Sequence, residues 1–412
     1  MPDAPTANDP TNANARFALA LQAIEAGDWD RAESVAASLL SQPAAGPQAD
    51  WLAARIALGR GDFAVAAQRA ARALAATRLA PDQVAETALL LGEALDGLGR
   101  TDEAFVAFSR GKDALRRFYA QRAASREGEV GKLQRLAAWF RAADAAPWRQ
   151  APAASSAGVR AHAFLFGFPR SGTTLLEQAL AGHPELVALE EPPTLAAAYD
   201  EFLTTPAGLE RLARLTADEA AHWRGVYWRV VADLGAQVAG KVFLDKAPAG
   251  TLYLPLIAKL FPEAKVLFAI RDPRDVVLSC FRQSFQMNAL TYAFTDLAET
   301  ARCYAAAMDL AMVYRRTLPI QPLDVRYERL VDDFEGELGR IAEALGLGLT
   351  SSMLDVAGTA GRRPVRTPSA PQVRAGLNRR GLGRWRAYAA ELAPVMPVLA
   401  PWIQRFGYGG EG

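Results

Sequence analysis

The stretch GFPRSGTT, residues 167–174, gathers two glycines (Gly167 and Gly172), one arginine (Arg170) and three hydroxyls (Ser171, Thr173 and Thr174). An apolar run, AHAFLF, precedes it, and an amphipathic run, TTLLEQALAG, overlaps its end. A turn from a strand into a helix N-terminus presents unpaired backbone N–H groups to an anion, with the helix dipole behind them. Arg170 adds a fixed charge and the hydroxyls add donors, so the stretch predicts an anion-binding loop. The bland alternative is an ordinary glycine-containing strand–helix turn. A nucleotide-hydrolysing loop places Lys directly after the second glycine, on the β and γ phosphates, with Ser or Thr on magnesium. Here Thr173 takes that place, and Arg170 stands two residues before the glycine. Such a loop suits a 5′-phosphate without a metal-bound triphosphate.

These groups need a rigid frame. From residue 161 the apolar runs HAFLFG, VFLDK, KVLFAIRD and PLDVRY alternate with the helical stretches TTLLEQALAG, TLYLPLIAKLF, DPRDVVLSCF and TDLAETARCYAAAMDLAMVYRR. Strands buried on both faces read as continuous apolar runs. The alternation predicts an α/β fold, a P-loop-like parallel sheet with helices on both faces. Ligands of such sheets bind beyond the carboxyl ends of the strands. The helix TADEAAHWRGVYWRVV opens on a capping box, Thr216 to Glu219, and reads as an insertion near the ligand cleft.

The first ~140 residues differ, being rich in Ala, Leu and Arg with helical periodicity throughout. GDWDRAE from Gly27, GDFAVAA from Gly61 and GRTDEAF from Gly99 echo one another at intervals of 34 and 38 residues, each followed by Ala at 32, 66 or 104. A helix–turn–helix period of ~34 residues is the tetratricopeptide signature. The glycine ends one helix in a left-handed cap, and the small alanine lets the next helix pack closely. A plain amphipathic bundle with coincidental glycines is the alternative. The expected organisation is a disordered lead-in (1–14), an all-α tetratricopeptide-repeat domain (15–143), a linker rich in Pro, Ala and Ser (144–160), and the α/β domain (161–412).

Composition bounds the function. The chain has 412 residues and a formal net charge of +1, which argues against a general nucleic-acid binder but leaves room for a local basic pocket. Cys280 and Cys303 have no paired spacing, so neither a disulfide scaffold nor a zinc cluster is expected, and a reducing, cytoplasmic compartment fits. His162, His183 and His222 are scattered, and no metal site is expected. The polar N-terminus lacks the basic-then-apolar order of a signal peptide. The late apolar stretch LAPVMPVLAPWI is interrupted by Pro394, Pro397 and Pro401 and falls short of the roughly 20 residues that span a bilayer. The chain reads as soluble, without a membrane span.

The lysine-free loop resembles the 5′-phosphosulfate loop of sulfotransferases, whose sulfuryl donor is 3′-phosphoadenosine-5′-phosphosulfate (PAPS). That family carries an Arg at a strand end and a Ser eight residues on; LFAIRDPRDVVLSCF supplies Arg271 and Ser279. The order of motifs is similar to that of tyrosylprotein sulfotransferases and of bacterial sulfotransferases fused to tetratricopeptide repeats. Their Glu, 21 residues after the loop Arg, is matched by Glu191 in GHPELVALEEPPTL, and their catalytic Lys by Lys246 in FLDKAP. Tyr327 in DVRYERL matches the tyrosine near the nucleotide. SAPQVRAGLN, Ser369 to Asn378, matches the late segment, and Arg384 stands where the family has Lys.

The resemblance implies the sulfotransferase fold, PAPS as co-substrate, 3′,5′-ADP as product and no metal. It implies Glu191 as base, with Glu190 beside it as the alternative. Lys246, Arg170 and Ser369 would stabilise the charge that grows as the donor leaves. Arg170, Ser171, Gly172, Thr173, Thr174, Arg271, Ser279, Tyr327 and Arg384 would bind the nucleotide, Arg271 and Ser279 at its 3′-phosphate. The acceptor is a hydroxyl, with protein tyrosine, sugar and small phenol or lipid all open. The repeats either bind a peptide or protein-borne acceptor or buttress the second half, and a homodimer is compatible with the family.

Three residue-level alternatives stand beside these: a surface pair of Lys246 with Asp245, a solvated pair of Glu191 with Glu190, and a salt bridge from Arg271 to Asp272 or Asp275. Gln283 replaces a further family Arg, with Arg282 one position earlier, and Asp245 replaces the Asn of the animal enzymes. Two other function classes are weighed. A P-loop kinase or nucleotide hydrolase lacks its lysine here, although Asp245 and Asp272 imitate a magnesium ligand. A non-catalytic repeat scaffold is opposed by the intact set Arg170, Glu191, Lys246, Arg271 and Ser279.

Overall fold

The structure, a computed structural model, describes residues 13–40, 46–76, 79–124, 127–150, 152, 158–363, 369–370, 374 and 376–410. Most of the expected lead-in, part of the linker, and Pro371, Gln372, Val373 and Ala375 of the late segment lie outside the described residues. The chain forms two compact units. One comprises Met1–Arg126, Phe281–Glu299 and Arg386–Ala393; the other comprises Glu127–Cys280, Thr300–Trp385 and Pro394–Gly412.

The first unit is built on α1 (Ala13–Ala26), α2 (Trp29–Leu40), α3 (Pro47–Arg60), α4 (Phe63–Leu74), α5 (Pro81–Gly97) and α6 (Thr101–Ala124). They pair as three helical hairpins. Gly27, Gly61 and Gly99 close the first helix of each pair at φ 75°, 80° and 75°, a conformation that costs glycine no Cβ clash. After α3, Asp62 accepts the Val65 N–H at 3.1 Å and so caps α4. Ala32, Ala66 and Ala104 have no exposed surface, as close helix packing requires. The fit is tight elsewhere too, since a Cβ on Gly59 would lie 2.2 Å from the Trp29 ring.

The second unit contains α7 (Glu129–Ala142), β1 (Ala161–Gly167), α8 (Thr173–Ala181), β2 (Leu186–Glu190), α9 (Ala196–Phe202), α10 (Pro206–Ala213), α11 (Ala217–Asp233), β3 (Val242–Lys246), α12 (Leu254–Leu260) and β4 (Lys265–Ile270). There follow α13 (Pro273–Arg282), whose last two residues belong to the first unit, α14 (Ala289–Ala293), which belongs to the first unit entirely, α15 (Leu297–Thr317), whose first three residues do, β5 (Leu323–Arg326), α16 (Tyr327–Asp332) and α17 (Phe334–Ala344). The five strands form one sheet in the order β2-β3-β1-β4-β5, parallel throughout. Four of the strands coincide with the apolar runs of the sequence. The fifth, β2, does not, because LVALE is a short run at the sheet edge with only Leu186 and Ala188 buried.

Side chains alternate across a strand, and this sheet sorts them by chemistry. Ala163, Leu165, Val242, Leu244 and Leu267 face Leu176, Ala179 and Leu180 of α8 in an aliphatic core. His162, Phe164 and Phe243 join Tyr227, Trp228 and Phe261 in an aromatic one. The helix α11 has the capping box that its sequence predicts: Thr216 accepts from the Glu219 N–H, and Glu219 accepts from the Thr216 N–H. It packs on the core through Ala220, Arg224, Tyr227 and Val231. Tyr227 is 1% exposed, because the aromatic face of the sheet needs an apolar cover.

Candidate active site

Every strand points its carboxyl end toward one edge of the sheet, and the candidate residues begin where the strands stop. β1 ends at Gly167, where a Cβ would lie 2.7 Å from the Ala269 carbonyl of β4. The following turn enters α8 through Gly172 at φ 95°. A Cβ on Gly172 would lie 2.4 Å from Tyr327 Cδ2, so only glycine lets Tyr327 close over the turn. Ser171, Thr173 and Thr174 are buried at the start of α8, where backbone N–H groups are unpaired by helix geometry.

Arg170 links the segments that the sequence reading treats separately. Its Nε donates to Ser279 Oγ at 2.9 Å, on α13, and its Nη1 donates to Ser369 Oγ. From the end of β4, Arg271 donates through Nη1 to the Arg170 carbonyl at 2.9 Å and through Nη2 to the Gly381 carbonyl. Its guanidinium lies 4.7 Å from the Tyr327 ring centroid. The buried Nε–H of Arg271 has no hydrogen-bond partner among the described residues. A buried donor of this kind calls for an acceptor, and a phosphate oxygen is a suitable one. Arg271 also lies 3.9 Å from Asp275, while Asp272 pairs with Arg274 at 2.7 Å. Asp275 in turn accepts the N–H groups of Gly383 and Trp385 at 2.8 Å each, fixing the segment that carries Arg384.

A second cluster forms where β2 and β3 end. Lys246 has no exposed surface, and its Nζ lies 3.1 Å from Glu191, 3.4 Å from Glu190 and 3.4 Å from Glu177. Burial would depress its pKa, but the charges of Glu177, Glu191 and Glu190 outweigh burial and leave it above the ordinary lysine value. Lys246 is therefore a buried cation, not half of a surface pair with Asp245. Glu177, from α8, is fully buried and also lies 3.6 Å from Arg363. Burial pushes its carboxyl above the usual range, against the opposing charge of Lys246. Neither Glu177 nor Arg363 stands out in the sequence, because their meeting with Lys246 depends on which sheet face each element covers.

Glu191 and Glu190 both reach Lys246, but they differ in exposure: the side chain of Glu191 is 48% exposed and that of Glu190 is 12% exposed. Arg170 and Glu191 are also the non-glycine residues of positive φ among those described, at 73° and 52°. Such backbone strain, of order 1–3 kcal/mol per residue, gathers at functional sites. Arg282 is engaged by Asp96 within the first unit, and the Gln283 carbonyl there accepts Lys112 Nζ at 2.7 Å. Among the described residues no cluster of three or more His, Cys, Asp or Glu is placed to hold a metal ion, and no helix is long and apolar enough to cross a membrane.

The sulfotransferase family model matches residues 163–351, which span the 167–174 turn, Arg271 with Ser279, and Lys246 with Glu177, Glu190 and Glu191. An uncharacterized protein of Aquifex aeolicus is 29% identical over 57% of this chain and 32% of its own length. A putative protein-tyrosine sulfotransferase of Caenorhabditis briggsae is 27% identical over 60% of this chain and 88% of its own length. Among solved structures, the sulfotransferase domain of the Synechococcus PCC 7002 olefin synthase is 23% identical, covers 58% of this chain and 98% of its own, and has a TM-score of 0.35. The similarity to the sulfotransferase family thus lies in residues 163–351, the stretch that the family model matches.

Proposed function

We propose that the protein transfers a sulfuryl group from PAPS to an acceptor hydroxyl, releasing 3′,5′-ADP. The observation that carries this reading is the convergence on Arg170 of Ser279, Ser369 and Arg271. The linked segments then offer cations and hydroxyls to both phosphate positions of the donor: the α8 turn to the 5′ side, and Arg271 with Ser279 to the 3′ side. The orphan Nε–H of Arg271 supports an anion there. Tyr327, packed against both Gly172 and Arg271, and the Arg384 segment complete the nucleotide contacts.

In the transfer, the bond between sulfur and the phosphate-bridging oxygen breaks, and a bond forms between sulfur and the acceptor oxygen. The acceptor proton passes to Glu191. A phenol has a pKa of about 10, so a positioned base contributes roughly 10²–10⁴-fold. Glu191 is chosen over Glu190 because it is the more exposed of the two at the strand ends. The bridging oxygen leaves with the extra negative charge. Lys246 and Arg170, assisted by Ser369, face that charge; a single preorganised donor in such a place is worth ~3 kcal/mol. The transition state resembles the loose one of phosphoryl transfer, so positioning and charge govern the rate.

The relative named a putative protein-tyrosine sulfotransferase favours a tyrosine in a peptide or protein as acceptor. The three helical hairpins are read as tetratricopeptide repeats that present such a partner. The reading is tested by turnover and binding together. Glu191→Gln should keep 3′,5′-ADP affinity and lose at least 10²-fold in turnover, whereas turnover within tenfold of wild type removes Glu191 from the base role. Arg271→Ala should weaken 3′,5′-ADP binding, and unchanged affinity contradicts the 3′-phosphate assignment. Heat protection by magnesium and ATP, without protection by 3′,5′-ADP, would favour a P-loop kinase instead.

A further inference from the structure

Glu191 holds a left-handed backbone conformation, φ 52°, that a non-glycine residue keeps only where its surroundings over-determine it. Two contacts tie it to β3: its N–H donates to the Lys246 carbonyl at 2.7 Å, and its carboxylate meets Lys246 Nζ at 3.1 Å. A third contact holds the far end of the same turn. Thr194 Oγ1 donates to Asp245 Oδ2 at 2.7 Å. Asp245 and Lys246 are consecutive on β3, so their side chains leave opposite faces of the sheet. The 190–194 turn is therefore gripped from both faces.

Asp245 is itself fixed. Its Oδ2 also accepts the Tyr227 hydroxyl at 2.8 Å, from α11, and that hydroxyl lies 2.8 Å from His162 Nε2, on β1. Tyr227 has one proton and gives it to Asp245, so His162 carries its own on Nε2. Thr194, Tyr227, His162 and Asp245 are all at most 9% exposed. The ionisable groups facing Asp245 are Tyr227 and Tyr253, with Lys246 beside it on its own strand. Burial lifts the Asp245 carboxyl to about 6 against the pull of Thr194, Tyr227 and Lys246, and burial lowers His162 to about 3. At neutral pH the row is an ionised acceptor with a neutral imidazole behind it.

We propose that Asp245, locked by Tyr227 and His162, is a positioning residue that aims Glu191 through the Thr194 hydroxyl. The inference rests on Glu191 being the base, and it makes the aspartate, where related animal enzymes carry asparagine, part of how this chain sets that base.

Thr194→Val removes the latch at nearly constant volume, and Thr194→Ser restores it. Phenol and p-nitrophenol serve as acceptor probes. Phenol is protonated at about pH 8 and needs a base, whereas p-nitrophenol is already largely ionised and needs much less of one. Thr194→Val should lower turnover of phenol on the order of 10²-fold, the scale of a misplaced catalytic group, and of p-nitrophenol by under tenfold. Its 3′,5′-ADP affinity should stay within twofold, and Thr194→Ser should recover most of the phenol rate. Asp245→Asn should shift both rates in the same direction.

Amide exchange at Glu191 reads the latch without any acceptor, and Thr194→Val should speed it at least tenfold. Unchanged exchange overturns the inference, as does a phenol rate within threefold of wild type. Equal losses on both phenols overturn it if Glu191→Gln separates the two. If Glu191→Gln fails to separate them, the base assignment falls, and the exchange result alone decides whether the latch exists.

Discussion

Lys246 has no exposed surface and faces three carboxylates, and its energetics follow from that arrangement. Removing one partner of a buried ion pair leaves the other uncompensated, at a cost of about 3–5 kcal/mol. Lys246→Met should lower stability on that scale in denaturant titration, and Lys246→Met with Glu177→Leu should recover part of the loss because the orphaned charge is gone. The pH dependence has a definite sign. Burial holds the Glu177 pKa above its unfolded value, and losing Lys246 removes the charge that opposes this. The folded variant then binds more protons than the unfolded chain above the ordinary carboxylate pKa, so its stability falls as pH rises through that window. The stability gap between Lys246→Met and wild type should widen as pH rises above the ordinary carboxylate range. A constant gap would mean that Glu177 gains its charge balance elsewhere, Arg363 at 3.6 Å being the nearest source.

The element proposed to hold the donor's 5′-phosphate is the β1–α8 turn, and its sequence is legible because its demands are local. A glycine must stand at φ 95°, hydroxyls must open the helix, and an apolar strand must precede. Gly172→Ala should weaken 3′,5′-ADP binding at least tenfold, since the added Cβ meets Tyr327 at 2.4 Å as well as straining the backbone. Gly240 is the control: it has φ 69° but nothing within 4 Å of an added Cβ, so Gly240→Ala should lose roughly 1 kcal/mol of stability and leave 3′,5′-ADP affinity unchanged. Equal binding losses in the two variants would assign the effect to strain alone. The edge strand β2 is harder to read, because only Leu186 and Ala188 of its five residues are fully buried and its apolar signal is diluted. The Thr194–Asp245–Tyr227–His162 row has no sequence signature at all. Its members come from two strands, a helix and a turn, and only the register of β1 on β3, which pairs His162 with Phe243 and Phe164 with Asp245, lines them up on one face.

At the scale of the whole chain, the three helical hairpins are visible in the period of Gly27, Gly61 and Gly99, but the make-up of the first unit is not, because its remaining pieces come from distant sequence. Phe281 packs 5.4 Å from Phe105 and is 4% exposed. Arg282 and the Tyr388 hydroxyl both reach Asp96, and buried Lys112 donates to the Gln283 carbonyl at 2.7 Å. A chain starting at residue 127, where the second unit begins, would keep Phe281, Arg282 and Tyr388 while losing Phe105, Asp96 and Lys112. Uncovering the Phe281 ring alone gives up about 1.5–3 kcal/mol of burial, and an exposed apolar patch of that kind promotes self-association. The 127–412 fragment should therefore be less soluble than the full chain and melt at lower temperature, and Phe281→Gln should improve its solubility while destabilising the full chain. A 127–412 fragment that matches the full chain in solubility and melting temperature would show that residues 281–299 and 386–393 draw no stability from the helical hairpins.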